Sequence, residues 1–133
     1  MSDRPKAIVW IGSSLDDLRD FPEETRREAG FALRQAQNGD KHPDAKPLRS
    51  FKGASVLEIV EDSNTDTYRA VYTVSFQEAI YVLHCFKKKS KQGIATPKQD
   101  IDLIKSRYKT AEKEHNTWQQ QQTAKQQPPR KEK

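Results

Sequence analysis

The N-terminal part of the chain contains an apolar run from Ala7 to Ile11 that is rich in β-branched side chains and ends at Gly12. Such a run predicts a buried β-strand. Ser13 or Ser14 then offers an N-cap for a helix with acidic residues in its first turn. This helix must be short because Pro22 follows, and Pro22 with two glutamates behind it predicts the start of a second helix.

The second helix is predicted to run to about Gln37, where the Asn38-Gly39 pair supplies a left-handed stop. Its apolar residues recur at helical spacing and form one stripe, with Phe31 to one side. The stripe consists of Ala29, Ala32, Leu33 and Ala36. Because most of these side chains are small, the helix can approach a β-sheet closely.

A polar loop is predicted from Asp40 to Pro47, and four strand-like segments follow it, each bounded by turn residues. The segments are Leu48–Lys52, Val56–Glu61, Tyr68–Ser75 and Ala79–Phe86. Connections this short permit only antiparallel pairing of neighbouring strands. Because Ala79–Phe86 is the least polar segment, we expect it to be the central strand.

The C-terminal region opens with a strong helix-start signal, in which Thr96 is the N-cap, Pro97 the first helical residue and Gln99 the third. An apolar face then continues at helical spacing to a predicted helix end near His115. This face consists of Ile101, Ile104, Tyr108 and Ala111. Residues 116–133 are rich in glutamine and contain few apolar side chains, which is typical of a disordered tail.

The order β-α-α-β-β-β-β-α predicts the fold class. It indicates an α+β fold, in which two N-terminal helices and one C-terminal helix pack on a small antiparallel sheet. The 133 residues are enough for one domain and not for two. We assign residues 1–115 to this domain and residues 116–133 to the disordered tail.

The composition excludes several classes of protein. Apolar residues make up 33% of the chain and charged residues 32%, and no apolar run approaches the length of a transmembrane helix. The first six residues contain no apolar segment of the kind that signal peptides carry. The single cysteine, Cys85, can form neither an internal disulfide nor a zinc site. We therefore expect a soluble, cytoplasmic protein that holds no metal or cofactor.

Positive charge is concentrated in the second part of the chain. Residues 1–83 carry 11 basic and 14 acidic side chains, whereas residues 84–133 carry 13 basic and 5 acidic ones. A basic region beside a mildly acidic one indicates a surface for a polyanion such as RNA. A solvated charged tail would give the same composition.

Four stretches of the sequence carry a recognisable pattern. They are Val56–Glu61, Tyr68–Tyr72, Val82–Ser90 and Thr96–Ile101. In this order and spacing they resemble the RelE/HigB superfamily of bacterial and phage toxins, in particular its phage-derived HigB-like branch, over roughly residues 6–112. The resemblance implies a RelE-like fold and the toxin half of a type II toxin–antitoxin pair, with a helix-turn-helix (HigA-like) antitoxin as partner. It also implies an endoribonuclease that cuts messenger RNA, commonly on the ribosome.

The resemblance places the arginine of the family's motif at Arg69. Metal-independent RNA cleavage uses the ribose 2′-OH as nucleophile and needs a base, an acid and a cation for the charge that builds on the phosphate. Arginine suits the cationic role because its planar fork matches two phosphate oxygens. An ion pair between Arg69 and Glu58 or Glu61 on the neighbouring strand is the structural alternative.

The densest positive charge lies at the end of the last predicted strand. The resemblance places the family's catalytic basic residue at Lys87 or Lys88. Since alternate residues of a strand point to opposite faces, at most two of the lysines here can face one RNA site. We assign Lys89, Lys91 and Lys98 to more distant RNA backbone; a solubilising strand end is the alternative.

The acid and base of the reaction are not assigned by the resemblance. RelE proteins carry lysines on the strand before the arginine and a tyrosine after the basic loop, whereas this sequence has Glu58 in that strand and no tyrosine from Lys91 to Thr96. Glu58 and His84 are the candidates. His84 can act as an acid or base near neutral pH, but it also fits a hydrogen-bonded core residue. His42 and His115 are expected to be structural or solvated.

Two classes of function remain open from the sequence. The first is a ribonuclease toxin that cleaves messenger RNA. The second is a relative that acts by binding alone, either as a ParE-like gyrase inhibitor or as a degenerate toxin that retains only its affinity for an antitoxin.

Overall fold

A computed structural model describes residues 5–49, 51, 55–64, 66–88 and 96–126. Five strands and three helices lie within these residues, which confirms the predicted α+β fold class. The elements are β1 (Ala7–Trp10), α1 (Ser14–Arg19), α2 (Glu23–Gln37), β2 (Ala45–Pro47), β3 (Val56–Ser63), β4 (Asp66–Thr73), β5 (Ala79–Lys88) and α3 (Lys98–Gln126). No helix in this part of the chain is long and apolar enough to cross a membrane.

The strands form one sheet in the order β1-β5-β4-β3-β2. The pairs β3–β4 and β4–β5 are antiparallel, as predicted, and β2 also pairs antiparallel with β3. β1 pairs with β5 in parallel, so the sheet is mixed and not purely antiparallel as predicted. β5 is an interior strand with a neighbour on each side. The middle position belongs to β4, however, because β2 adds a further strand beyond β3.

The helices cover both faces of the sheet. On one face, α1 and α2 pack against a core that includes the predicted alanine stripe of α2, while Phe31 stays exposed. On the other face, α3 contributes the predicted Ile101, Ile104 and Ala111, all of them buried. α2 ends where expected, since Gly39 adopts the left-handed conformation with φ of 85°.

The predicted strand Leu48–Lys52 is wrong for its described residues 48, 49 and 51, while residues 50 and 52 lie outside the described residues. The strand that forms instead lies inside the predicted loop. β2 forms because Ala45 is buried opposite Ile59. Pro47 is tolerated because β2 is an edge strand, where a missing N–H removes no ladder hydrogen bond. Leu48 instead begins a turn, in which the Phe51 N–H donates to the Leu48 carbonyl at 3.0 Å.

The predicted end of the last helix near His115 is also wrong, because α3 continues to Gln126. No proline or glycine interrupts the sequence between these two positions, and its glutamine, lysine and alanine residues favour helix. Residues 116–121 are nonetheless exposed. Within them, the Trp118 ring stacks on His115 with 5.5 Å between centroids. Residues 127–133 of the predicted tail lie outside the described residues.

Candidate active site

The candidate site lies on the face of the sheet that α3 covers. Residues paired across antiparallel strands point to the same face. Two adjacent rows of paired residues are Glu58–Val71–His84 and Val60–Arg69–Phe86. Arg69 is therefore a diagonal neighbour of both Glu58 and His84, and the sheet brings these three predicted residues together.

A β-bulge turns His84 towards this face. The register changes between Val71, which pairs with His84, and Tyr72, which pairs with Val82, so Leu83 has no register partner on β4. Strict alternation would place Leu83 and His84 on opposite faces of the sheet. The extra residue allows Leu83 to join the core under α3 while His84 also contacts that helix. Bulges commonly re-aim a side chain in this way.

Arg69 lies in a buried environment and donates to two other described residues. Its Nη1 donates to Oε1 of Glu58 at 3.3 Å and to Oγ1 of Thr96 at 3.2 Å, and Arg69 is only 3% exposed. The pairing with Glu58 is the ion pair that the sequence offered as the structural alternative. Its two opposite charges compensate each other, since one uncompensated buried charge would cost several kcal/mol.

His84 is oriented by a carboxylate of α3. Its Nε2 lies 2.8 Å from Oδ1 of Asp100, and its ring stacks on Phe86 with centroids 4.6 Å apart. Because a carboxylate can only accept a hydrogen bond, Nε2 carries the proton, and Nδ1 of the neutral ring holds the lone pair. Nδ1 is buried and has no hydrogen-bond partner among the described residues.

The other two histidines have both nitrogens bonded. In His42, Nε2 pairs with Glu28 at 3.0 Å and Nδ1 accepts from the Asp44 N–H at 3.0 Å. In His115, Nε2 pairs with Glu78 at 2.8 Å and Nδ1 bonds the Tyr81 hydroxyl at 3.2 Å. Both residues are buried and structural rather than solvated. Of the three histidines, only His84 has a ring nitrogen without a hydrogen-bond partner among the described residues.

The structure separates the two lysines at the end of β5. Lys88 pairs in register with Thr67 and so lies on the face of Arg69 and His84. Lys87 pairs with Tyr68 on the opposite face, where its Nζ lies 3.9 Å from Oδ2 of Asp66.

The remaining predicted RNA contacts do not gather at the site. Lys98 is exposed on the first turn of α3, and its Nζ donates to Oδ2 of Asp102 at 3.2 Å. Lys89 and Lys91 lie outside the described residues.

A cleft of about 340 Å³ opens on the side of α1, beside Lys87, and its lining also includes His84. Phe21 and Tyr68 line it, together with the carboxylates of Asp17 and Asp20. These two negative charges oppose a phosphate group, so the face under α3 suits RNA better.

A reactive cysteine or a cluster of metal-ligating side chains would be another kind of centre within the described residues. Burial raises the pKa of the Cys85 thiol to about 12, so it carries almost no thiolate, the nucleophilic form, at neutral pH. The described residues also contain no group of three or more histidine, cysteine, aspartate or glutamate side chains that could hold a metal ion.

Sequence reasoning missed Asp100 and the contact made by Thr96. Asp100 reads in the sequence as one more acidic residue in the first turn of a helix, which is common for electrostatic reasons. Its contact with His84 depends on how α3 docks across β5. No local pattern encodes that docking, although the capping signal at Thr96 did locate the helix start within two residues.

Fold and site together define a small α+β protein in which one helix closes over a buried arginine–glutamate pair and a histidine–aspartate pair. A family model described as phage derived protein Gp49-like (DUF891) matches residues 16–109, and the chain belongs to this family. The family is related to the RelE/HigB-type toxins of toxin–antitoxin systems. Neither the curated proteins nor the solved structures yield a match to this chain.

Proposed function

We propose that this protein is the HigB-like toxin of a type II toxin–antitoxin pair and that it cleaves messenger RNA on the ribosome without a metal ion. A helix-turn-helix antitoxin is its proposed partner. The observation that carries the catalytic part is the Nδ1 atom of His84, a buried nitrogen that has no hydrogen-bond partner among the described residues and lies on the same sheet face as a buried arginine. The membership of the chain in a toxin-related family supports the biological part.

His84 is the proposed general base. With its Nε2–H held by Asp100, the Nδ1 lone pair is the atom that takes the proton of the ribose 2′-OH. The imidazolium that results is stabilised by the Asp100 carboxylate, in the way that an aspartate supports the histidine of a hydrolase triad. General base catalysis of this kind contributes about 10²–10⁴ in rate.

Arg69 is the proposed cation for the phosphate. The 2′ oxygen attacks phosphorus, the bond from phosphorus to the 5′ oxygen breaks, and the leaving 5′ oxygen takes a proton from water to become a hydroxyl. Negative charge builds on the non-bridging oxygens during this step. Arg69 lies diagonally beside His84 on the neighbouring strand. Its guanidinium can bind these oxygens when the hydrogen bond that it now donates to Glu58 is donated to the phosphate instead. Lys88 on the same face adds positive charge for the adjacent backbone.

The test is purified protein on RNA, with and without translating ribosomes, in the presence of EDTA. We expect cleavage that EDTA does not stop, with a 2′,3′-cyclic phosphate on one fragment and a 5′-hydroxyl on the other, because the 2′ oxygen is the nucleophile. Intact RNA under both conditions would contradict the proposal.

The second candidate is a toxin relative that acts by binding alone. The buried Arg69–Glu58 ion pair favours it, because that pair also explains both side chains as structural. A binding toxin leaves RNA intact but still inhibits growth, for example by inhibiting gyrase. Supercoiling by purified gyrase in the presence of the protein distinguishes this candidate from the ribonuclease.

A further inference from the structure

Arg107 of α3 connects three elements of the fold. Its Nη1 donates to the Leu83 carbonyl on β5 at 3.0 Å, and its Nη2 donates to Oγ of Ser13, at the start of α1, at 3.4 Å. Leu83 is the bulged residue, the one without a register partner on β4. The guanidinium thus binds the backbone at the point where β5 departs from regular alternation.

The chain leaves room for this guanidinium at Gly12. A Cβ atom at this position would lie 2.8–2.9 Å from the Arg107 guanidinium, closer than real Cβ atoms approach other atoms. Gly12 also has a φ of 59°, which disfavours other residues. The guanidinium of Arg107 therefore packs directly against the turn between β1 and α1.

Arg107 and Asp100 act on the same stretch of β5. They are separated by seven residues, about two helical turns, and so project from one face of α3. Asp100 holds the His84 ring, and Arg107 holds the backbone carbonyl immediately before it. Without the bulge, alternation along β5 would turn His84 away from Arg69.

We propose that Arg107 is a positioning residue for His84: by holding the Leu83 carbonyl it keeps the bulge that places the imidazole beside Arg69. This inference rests on the proposed function only for its effect on catalysis. The effect on the position of His84 is independent of what the protein does.

The experiment compares Arg107→Met and Arg107→Gln with the wild type by NMR of ¹⁵N-labelled protein. The imidazole nitrogen signals report which ring nitrogen carries the proton, and a cross-strand NOE between Val71 and His84 reports the bulge. We expect the His84 signals to move and this NOE to weaken, while the His42 and His115 signals stay in place. Arg107→Gln stays polar on a half-buried surface and covers the case in which Arg107→Met fails to fold.

Two matched controls remove nearby groups without touching Leu83. Lys109→Met deletes an exposed positive charge from the same helix, and Ser13→Ala deletes the weaker contact of Arg107 while leaving its bond to Leu83. We expect neither to change the His84 signals. If Ser13→Ala shifts them as much as the Arg107 variants do, the arginine is a general clamp between helices and the inference is wrong.

Cleavage assays on the same samples add the catalytic readout. A displacement of about 1 Å at a reacting group can cost about 10²-fold in rate, so we expect a loss of this order in folded Arg107 variants. Folded Arg107 variants with unchanged His84 signals and an intact bulge overturn the inference. A wild type that does not cleave RNA, combined with shifted His84 signals in the variants, refutes the ribonuclease and leaves the positioning role intact.

Discussion

Two histidine–carboxylate pairs along α3 differ in their hydrogen bonding. At the N-terminal end of α3, Asp100 bonds Nε2 of His84 at 2.8 Å, and in the C-terminal half of α3, Nε2 of His115 bonds Glu78 at the same distance. We call these the N-terminal pair and the C-terminal pair. Both histidines are buried. They differ at Nδ1, which bonds the Tyr81 hydroxyl in His115 and has no partner among the described residues in His84.

The difference at Nδ1 indicates which of the two histidine–carboxylate pairs stabilises the fold. A buried polar atom without a partner costs about 1–3 kcal/mol, so a histidine kept for stability has both nitrogens bonded, as His115 does. The ring of Trp118 also stacks on His115 with 5.5 Å between centroids, and the ring of Phe76 packs against His115 in a tilted arrangement at 4.5 Å. Within the part of the chain that the structure describes, Nδ1 of His84 has no hydrogen-bond partner, and we take this cost as a sign of function because a substrate proton can satisfy the nitrogen.

Substitution of Arg69 is expected to give the largest effect at the site around His84. Arg69→Lys keeps a positive charge opposite Glu58, but an ammonium cannot hold two phosphate oxygens in fixed geometry. We expect a loss of about 10²–10³ in cleavage rate, the usual cost of removing such a stabilising donor. Cleavage assays and melting curves on Arg69→Lys and Arg69→Ala measure activity per folded molecule.

The structural account of Arg69 predicts a different outcome for the same variants. If the ion pair with Glu58 is the whole role of Arg69, Arg69→Ala leaves a buried carboxylate unpaired, which costs about 3–5 kcal/mol, and activity per folded molecule is preserved. Full activity in folded Arg69→Ala protein would favour the toxin that acts by binding alone.

Tyr81→Phe turns the C-terminal pair into a copy of the N-terminal one. The variant removes the hydroxyl that bonds Nδ1 of His115 and leaves that nitrogen buried without a partner. We expect a loss of about 1–3 kcal/mol in the free energy of unfolding, with unchanged cleavage per folded molecule. Urea unfolding measures the first quantity. Unchanged stability would mean that satisfaction of Nδ1 does not separate the two histidines.

The neighbouring lysines test which face of the sheet meets RNA. Lys88 shares the face of Arg69, whereas Lys87 lies on the other face beside Asp66. We expect Lys88→Gln to lower the salt dependence of single-stranded RNA binding by about 0.7 in log–log slope, the value of one phosphate contact, and Lys87→Gln to leave it unchanged. The reverse result would place the RNA on the face of α1.

Truncation after His115 tests whether the last part of α3 stabilises the fold around His115. Residues 116–121 are exposed, and Trp118 contributes one stacking contact to His115. We expect deletion of residues 116–133 to leave Tm nearly unchanged, since so few contacts cannot offset the ordering entropy of the segment. A fall of more than about 5 °C, roughly 1 kcal/mol for a domain of this size, would show that the segment packs.

The elements of the fold that could be predicted from the sequence are those with local signals. Apolar periodicity located the stripe of α2 and the buried face of α3, and Gly39 marked the end of α2. Edge strand β2 was missed because Ala45 is its only buried residue, so it has no apolar pattern. The end of α3 was missed because low apolar content was read as disorder, whereas glutamine and lysine are good helix formers.

The site was predictable only in part, for a related reason. Arg69, His84 and Glu58 stand out by residue type within apolar strands, so the sequence identified them. Asp100 and Arg107 acquire their roles through tertiary contacts with β5, and the bulge at Leu83 leaves no trace in the residue pattern. Strand alternation predicts that Lys87 and Lys88 point to opposite faces of the sheet. Only the register with β4 shows that Lys88 is the one on the face of Arg69.

The most direct test of the account compares His84→Gln with His115→Gln in cleavage per folded molecule. In both variants the glutamine amide can still donate to the carboxylate that Nε2 binds, while the nitrogen at the Nδ1 position is lost. We expect His84→Gln to retain the wild-type Tm and lose about 10²–10⁴ in rate, as for removal of a general base. We expect His115→Gln to lower Tm and keep its activity. Wild-type cleavage by folded His84→Gln protein would contradict the account.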